Sequence, residues 1–312
     1  MEEIIQIFPG PLRSLCRAAF QSGIEPEEIR LRLGQPVITF GSGKEYFWNL
    51  QKGILDEFSE NVCRWTKEYM KETLARMTEY SMYALEEELC SGFFTIRGGH
   101  RIGIVGRTVC RQGKIHTIQN ISGLNIRIAR QKKGCAKKLL PYLYRYDSTG
   151  KESIYNTLIL SGPGVGKTTM LRDCIRQLSN GGLKVGVVDE RSEIAASFFG
   201  VVQNDLGNRT DVLDCCPKAE GMKLLLRSMS PQIIAVDELG GAEDCLAVEE
   251  VLHCGCRMLG TIHAERIEEL KEKKYLERWL EKGFFERFVL LQMGKEGERC
   301  FHIYDSMLQQ LC

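Results

Sequence analysis

The spacing of apolar positions changes several times along the chain, and each change marks a predicted element. Leu12, Leu15, Cys16 and Phe20 share one helical face within residues 1 to 23, which predicts a short N-terminal helix ending at Gly23. From Glu27 to Phe40 the pattern alternates through Ile29, Leu31 and Leu33, then Val37 and Thr39. This predicts strands broken at Gly34-Gln35-Pro36. Helical spacing returns over residues 55 to 91 with Met70, Leu74, Met77, Leu85 and Leu89. Ser81 interrupts that stripe, Met82 lies beside it, and Gly92 is its expected C-cap. A methionine-rich stripe of this kind reads as core packing rather than a cofactor site.

A β-rich block follows. Phe93 to Ile96 and Arg101 to Cys110 read as strands around a Gly98-Gly99 turn. Gln112-Gly113 suggests a hairpin into Ile115 to Ile118, and Leu124 to Ile128 forms one more strand. Residues 136 to 152 read as a linker, with paired lysines before them and an aromatic stretch from Tyr142 to Tyr146. The predicted organisation is a smaller α+β N-terminal domain (1–135), that linker, and an α/β C-terminal domain (153–312).

The C-terminal part is organised around residues 154 to 173. An apolar strand, Thr157 to Leu160, runs into a glycine-rich turn and then an amphipathic helix. Strand, glycine turn and helix in this order define a phosphate-binding loop, the Walker A motif. Gly162, Gly164 and Gly166 lack a Cβ, so successive N–H groups can face inward, and the helix adds its positive end there. Gly162, Pro163, Gly164, Val165, Gly166, Lys167, Thr168 and Thr169 are the expected nucleotide-binding residues. Lys167 can reach the β- and γ-phosphates, and the Thr168 hydroxyl can hold Mg²⁺. Ser161 stands where the strict pattern has glycine, a local variant followed at once by Gly162.

Lys184 to Val188 reads as the next strand and delivers the acidic run Asp189-Glu190-Arg191-Ser192-Glu193 to its end. Residues 198 to 216 show poor periodicity and read as loop. A helix is predicted over 218 to 229 after Pro217. A buried strand from Pro231 then ends in Asp237-Glu238, about 70 residues after Gly166-Lys167-Thr168, as a Walker B carboxylate pair should. Asp237 is expected to orient hydrated Mg²⁺, and Glu238 to polarise the attacking water. Ala242 to Leu252 reads as helix and Arg257 to Ile262 as a strand that presents Thr261-Ile262-His263-Ala264. His263 occupies the place of a γ-phosphate sensor. A charged helix over Glu265 to Lys282 and a final hairpin, Phe288 to Gln292 and Cys300 to Tyr304 across Gly294 to Gly297, complete the chain.

Composition narrows the classes. The chain has 312 residues, 43% of them hydrophobic, with a formal net charge of +1. That balance argues against bulk electrostatic capture of nucleic acid or anionic membrane. No apolar run approaches the ~20 residues a membrane span needs, and the acidic start, Met1-Glu2-Glu3, is unlike a secretion signal. A cytosolic protein is expected, with any membrane role exercised through a partner. The thirteen cysteines are scattered and include no Cys-x-x-Cys pair. Cys254 and Cys256 beside His253 are poorly spaced for zinc, and reduced thiols are the expectation.

Arg97, Arg101, Arg107, Arg111, Arg127 and Arg130 crowd the N-terminal β block. They form either a solvated basic face or arginines that reach phosphates, in an adjacent subunit's ATP site or on a nucleic acid. A nucleic-acid motor would want stacking platforms, and Phe93 and Phe94 are the only aromatics near these arginines. A nucleotide-switch scaffold with little turnover fits the same motifs.

The C-terminal part resembles the ring ATPases (AAA+-type) of type II and type IV secretion and of pilus assembly. It presents the same order: Gly162 to Thr169, Asp189-Glu190, Arg227 to Glu238, and Thr261 to Ala264. The strings Glu27 to Arg32, Gly98 to Gly103, Leu124 to Ala129, Asp189 to Ala195, Asp211 to Asp214 and Arg227 to Pro231 are similar to the stage III sporulation protein AA family. This resemblance runs from about residue 25 to the end. It implies a RecA/secretion-ATPase-like P-loop NTPase, using ATP and Mg²⁺, in the mother-cell cytosol of endospore-forming bacteria. It further implies a homo-oligomer, a hexamer, that serves a membrane channel made with other stage III proteins, peripheral to the membrane through those partners. Under the same resemblance Glu190 is a second candidate for the water-positioning group. Arg101, Arg107 and Arg127 are the candidates for completing a neighbour's site.

Overall fold

The computed structural model describes residues 1–79, 92–111, 113–146, 150, 152–294 and 298–312. Ser81, Met82, Leu85 and Leu89 of the expected methionine-rich stripe lie outside the described residues, as do Gln112 and the 295–297 tip of the final hairpin. Two compact units are present, Met1–Arg130 and Gln131–Cys312.

In the first unit the expected single N-terminal helix is two, Glu2–Ile7 and Gly10–Gln21. Pro9 breaks it. Proline cannot donate to the preceding turn, and it drives Phe8 into extended backbone (φ −77°, ψ 148°). Seven strands follow: β1 (Pro26–Arg32), β2 (Ile38–Gly41), β3 (Lys44–Asn49), β4 (Gly53–Leu55), β5 (Phe93–Ile96), β6 (His100–Arg111) and β7 (Lys114–Arg127). They form one antiparallel sheet in the order β4-β3-β2-β1-β7-β6-β5. Helix Lys67–Met77 occupies only part of the predicted 55–91 stretch, and Thr66 caps it by accepting from the Tyr69 N–H at 3.2 Å. Ile29, Leu31, Ile102 and Ile126 from the sheet bury against Phe8, Leu12, Trp65, Met70 and Met77. β7 is continuous where two strands were expected; Asn120, at a positive φ of 47°, lies where the register shifts between the Val105–Gly123 and Arg107–Gln119 pairs.

In the second unit β8 (Tyr144–Tyr146) and β9 (Glu152–Ile154) pair as a small ribbon. The main sheet holds β10 (Thr157–Ser161), β11 (Val185–Asp189), β12 (Thr210–Asp214), β13 (Ile233–Val236), β14 (Arg257–His263), β15 (Arg287–Met293) and β16 (Arg299–Tyr304). Their order is β12-β11-β13-β14-β10-β15-β16, parallel throughout except for the antiparallel edge β16. β10, β11 and β13 are apolar runs buried along their whole length, as a parallel sheet covered on both faces requires. Ile159, Val187 and Ala235 belong to one core, and Leu158, Val188 and Val236 to the other.

Three expectations need correction here. The described residues of the 136–152 stretch, expected as a linker, belong to the second unit. Ala136, Leu139, Leu140 and Leu143 are buried in its core, and the nearby lysine pairs and Pro141 left no period that would reveal that role. β12 lies inside the predicted 198–216 loop; it is half-buried at every position, so it has no alternating pattern to read. The charged stretch after Glu265 is two short helices, Glu269–Glu272 and Lys274–Glu281, separated by extended backbone at Lys273 (φ −85°, ψ 95°).

Candidate functional site

Sheet order fixes the site. β14 lies between β10 and β13, so the carboxyl ends of these strands are neighbours. Ser161, the last residue of β10, pairs in register with His263, the last of β14. The loop after β10 leads into helix Lys167–Asn180, whose N-cap is Gly166 at φ 112°, a conformation that disfavours any side chain.

The strand ends bring together residues far apart in sequence. Thr168 Oγ1 donates to Asp237 Oδ2 at 2.6 Å. Thr261 Oγ1 donates to the other Asp237 oxygen and accepts the Glu238 N–H at 2.8 Å. Thr261 therefore fixes both acidic residues, with Glu238 at φ 53°. Lys167 is buried, and its ammonium donates to Ser161 O at 3.0 Å and Gly162 O at 3.2 Å. Burial pulls the Lys167 pKa below the usual lysine value, and the Asp237 and Glu238 charges oppose that pull.

Glu190 and Glu238 line one small cleft with Asp237, Arg191 and Lys218. Arg191 pairs with the Glu238 carboxylate at 2.6 Å, and Lys218 pairs with Glu190 at 2.9 Å while donating to the Glu238 carbonyl at 3.0 Å. Asp189 borders the same cleft, but it is almost fully buried. It accepts the N–H groups of Glu193, Ile194 and Ala195 at 2.8, 2.9 and 2.7 Å, which shapes the acidic run. Burial pushes its pKa up to about 6 against the pull of those donors.

His263 is exposed at the β14 end beside Ser161. In the first unit Arg101 and Arg127 face each other across β6 and β7. The Arg101 guanidinium lies 3.5 Å from the Phe93 ring centroid, while Arg107 and Arg127 are exposed. Phe94 is buried, so the two aromatics do not form the exposed stacking pair that a nucleic-acid surface would use.

Sequence reasoning did not assign roles to Thr261, Arg191, Lys218, Asp173 or Arg299. Thr261 had a signal, a hydroxyl two residues before His263 on the strand that reaches the site. Asp173 accepts the N–H groups of Gly134 and Ala136 at 3.0 and 2.8 Å, clamping the segment before the first core residues to the loop helix. No sequence spacing announces a contact of that kind.

Over residues 1–311 the chain matches the family described as "Sporulation stage III, protein AA". It is 40% identical to stage III sporulation protein AA of Bacillus subtilis, across 98% of this chain and 95% of that protein. The Legionella pneumophila ATPase DotB has a similar structure, with a TM-score of 0.59, 16% identity, and coverage of 95% of this chain and 81% of that one. The pilus retraction motor PilT, solved with bound ADP, gives a TM-score of 0.60 at 16% identity, covering 93% and 81%. The fold is that of the P-loop secretion ATPases. Among the described residues no helix is long and apolar enough to cross a membrane.

Proposed function

The chain belongs to the sporulation stage III protein AA family, and on that premise we propose that it hydrolyses ATP to energise a secretion-like channel complex between mother cell and forespore. The observation that carries the enzymatic part is the 2.6 Å hydrogen bond from Thr168 to Asp237. Residues 69 positions apart meet where a phosphate loop and an acidic strand end should meet.

The oxygen donors Thr168 and Asp237 are a hard ligand pair that fits Mg²⁺, and those two residues would hold it. When bound, the ion would neutralise charge on the β- and γ-phosphate oxygens. The backbone of residues 162 to 168 wraps the triphosphate. Lys167 exchanges neutral carbonyl partners for phosphate oxygens, which makes stronger, charge-assisted hydrogen bonds. Glu238 orients the attacking water and accepts its proton, with Thr261 fixing its backbone. Glu190, held by Lys218 in the same cleft, is the second candidate for that role. His263 responds to the γ-phosphate from the neighbouring strand end.

Assembly as a hexameric ring follows the secretion ATPases. In such a ring Arg107 or Arg127, both exposed, or Arg101 completes a neighbour's site, so that turnover depends on assembly. The protein then works in the mother-cell cytosol and reaches the membrane through other stage III proteins. The deciding experiment is ATP turnover of Lys167→Ala, which should fall to background. Near-normal turnover would overturn the site.

A further inference from the structure

The phosphate loop carries a second cation that its own motif does not supply. A Cβ built on Gly166 would stand 2.8 Å from the Cζ of Arg299 and 2.9 and 3.0 Å from its terminal nitrogens. Three nearly equal distances mean that the guanidinium lies face-on over the Gly166 backbone. A side chain at position 166 would push the guanidinium aside, and the φ of 112° found there is one at which glycine alone is at ease. All N–H bonds of a guanidinium lie in its plane, so stacking on a face leaves the donor rim directed sideways, toward whatever the loop holds.

The side from which Arg299 arrives is informative. Thr168, Asp237, Thr261 and His263 gather where β10 meets β14 and β13. Arg299 begins β16, which reaches β10 through β15 from the opposite direction. Its charge is also felt by Cys135, whose thiol donates to Thr169 O at 3.7 Å in the first helical turn. Burial and the Asp173 carboxylate push that thiol up, and Arg299 pulls the other way.

We propose that Arg299 grips the part of the nucleotide common to the diphosphate and the triphosphate, on the side of the loop away from the γ-phosphate. The inference rests on the nucleotide reading of the loop. Arg299 is a binding residue supplied by the same subunit, distinct in kind from an arginine contributed by a neighbour. It holds ADP as firmly as ATP and so sets how long the product stays. The edge hairpin β15–β16 becomes a clasp on the nucleotide as well as the border of the sheet.

The test is titration of the full-length protein with fluorescent ADP and ATP analogues in Mg²⁺ buffer, comparing wild type, Arg299→Ala, Arg299→Lys and Lys167→Ala. Arg299→Ala should weaken both nucleotides by the same factor, roughly tenfold or more for a lost charge-assisted contact, with the thermal unfolding midpoint unchanged. Arg299→Lys should recover part of the loss for both. Wild-type affinity in Arg299→Ala, or a loss confined to ATP, overturns the proposal while leaving the nucleotide site in place. If Lys167→Ala binds as tightly as wild type, or wild type binds neither nucleotide, the reading of the loop itself fails and the Arg299 role falls with it.

Discussion

Replacing Asp173 with alanine should loosen a segment nearly forty residues away in sequence without touching a catalytic group. The Asp173 side chain is almost fully buried and accepts from Gly134 N, Ala136 N, Arg176 and Gln177. Ala136 is fully buried, so its orphaned N–H cannot recover a water partner, whereas exposed Gly134 can. One stranded buried donor costs about 1–3 kcal/mol, and the lost charge-assisted bonds to Gly134 and Arg176 add about 1 kcal/mol. A total near 3 kcal/mol corresponds to roughly 6–12 °C in the unfolding transition of a unit this size. Burial works against the Asp173 charge, yet the two N–H donors and Arg176 outweigh it and hold the pKa below the usual aspartate value. The stabilisation is therefore present above the unfolded pKa of ~3.8 and disappears as pH falls through the lower folded value. Two measurements check this: thermal unfolding at neutral pH, and hydrogen exchange of peptides spanning residues 131–146. The variant should melt earlier and lose amide protection in that segment. A loss under about 1 kcal/mol with unchanged exchange would refute the idea that one carboxylate anchors the strap.

Three further outcomes are expected. Glu238→Gln should bind ATP but turn it over at least ~100-fold more slowly; if Glu190→Gln does so while Glu238→Gln stays active, the two acids exchange roles. Thr261→Val removes the hydroxyl that joins Asp237 to the Glu238 backbone, so its ATP turnover should drop more than tenfold with the fold retained, and near-wild-type activity would discount that bridge. The folded pKa of Asp189 stands at about 6, above its unfolded value of ~3.8, so its contribution to stability is complete below the unfolded value and is lost as pH rises through 6. Between pH 5 and 7.5 that amounts to about 1.4 kcal/mol, read as a narrowing gap between wild type and Asp189→Asn in urea unfolding; a gap constant with pH would contradict it.

What the sequence made legible follows from where the physics is local. The loop from Gly162 to Thr169 is recognisable because backbone geometry, helix polarity and one lysine must occur within a few residues. The strand before Asp237 is recognisable because burial on both faces demands an unbroken apolar run. Elements stabilised at a distance stayed hidden. β12 pairs with β11 as a half-buried edge and carries no period. Residues 136 to 143 look like a linker because paired lysines and a proline interrupt any helical or alternating period, and only the three-dimensional core shows Ala136, Leu139, Leu140 and Leu143 sharing one interior. Pro9, by contrast, was a local signal available in the sequence, and helical periodicity on either side masked the break.

Acidic residues show the same limit more sharply, because sequence gives them one letter and structure gives them different work. Asp189 accepts from three backbone N–H groups and Asp173 from two, beside the Arg176 and Gln177 side chains; backbone donors are fixed by the fold and cannot be re-aimed. They organise chain. Asp237 is held by two threonine hydroxyls, each able to rotate about its Cβ–Oγ bond and accept instead of donate. A carboxylate with exchangeable partners can trade them for a metal's water shell or a phosphate-bound ion without orphaning any backbone group. By that criterion Asp237 is the aspartate suited to the proposed chemistry, while Asp189, at the end of the neighbouring strand β11, is suited to holding shape.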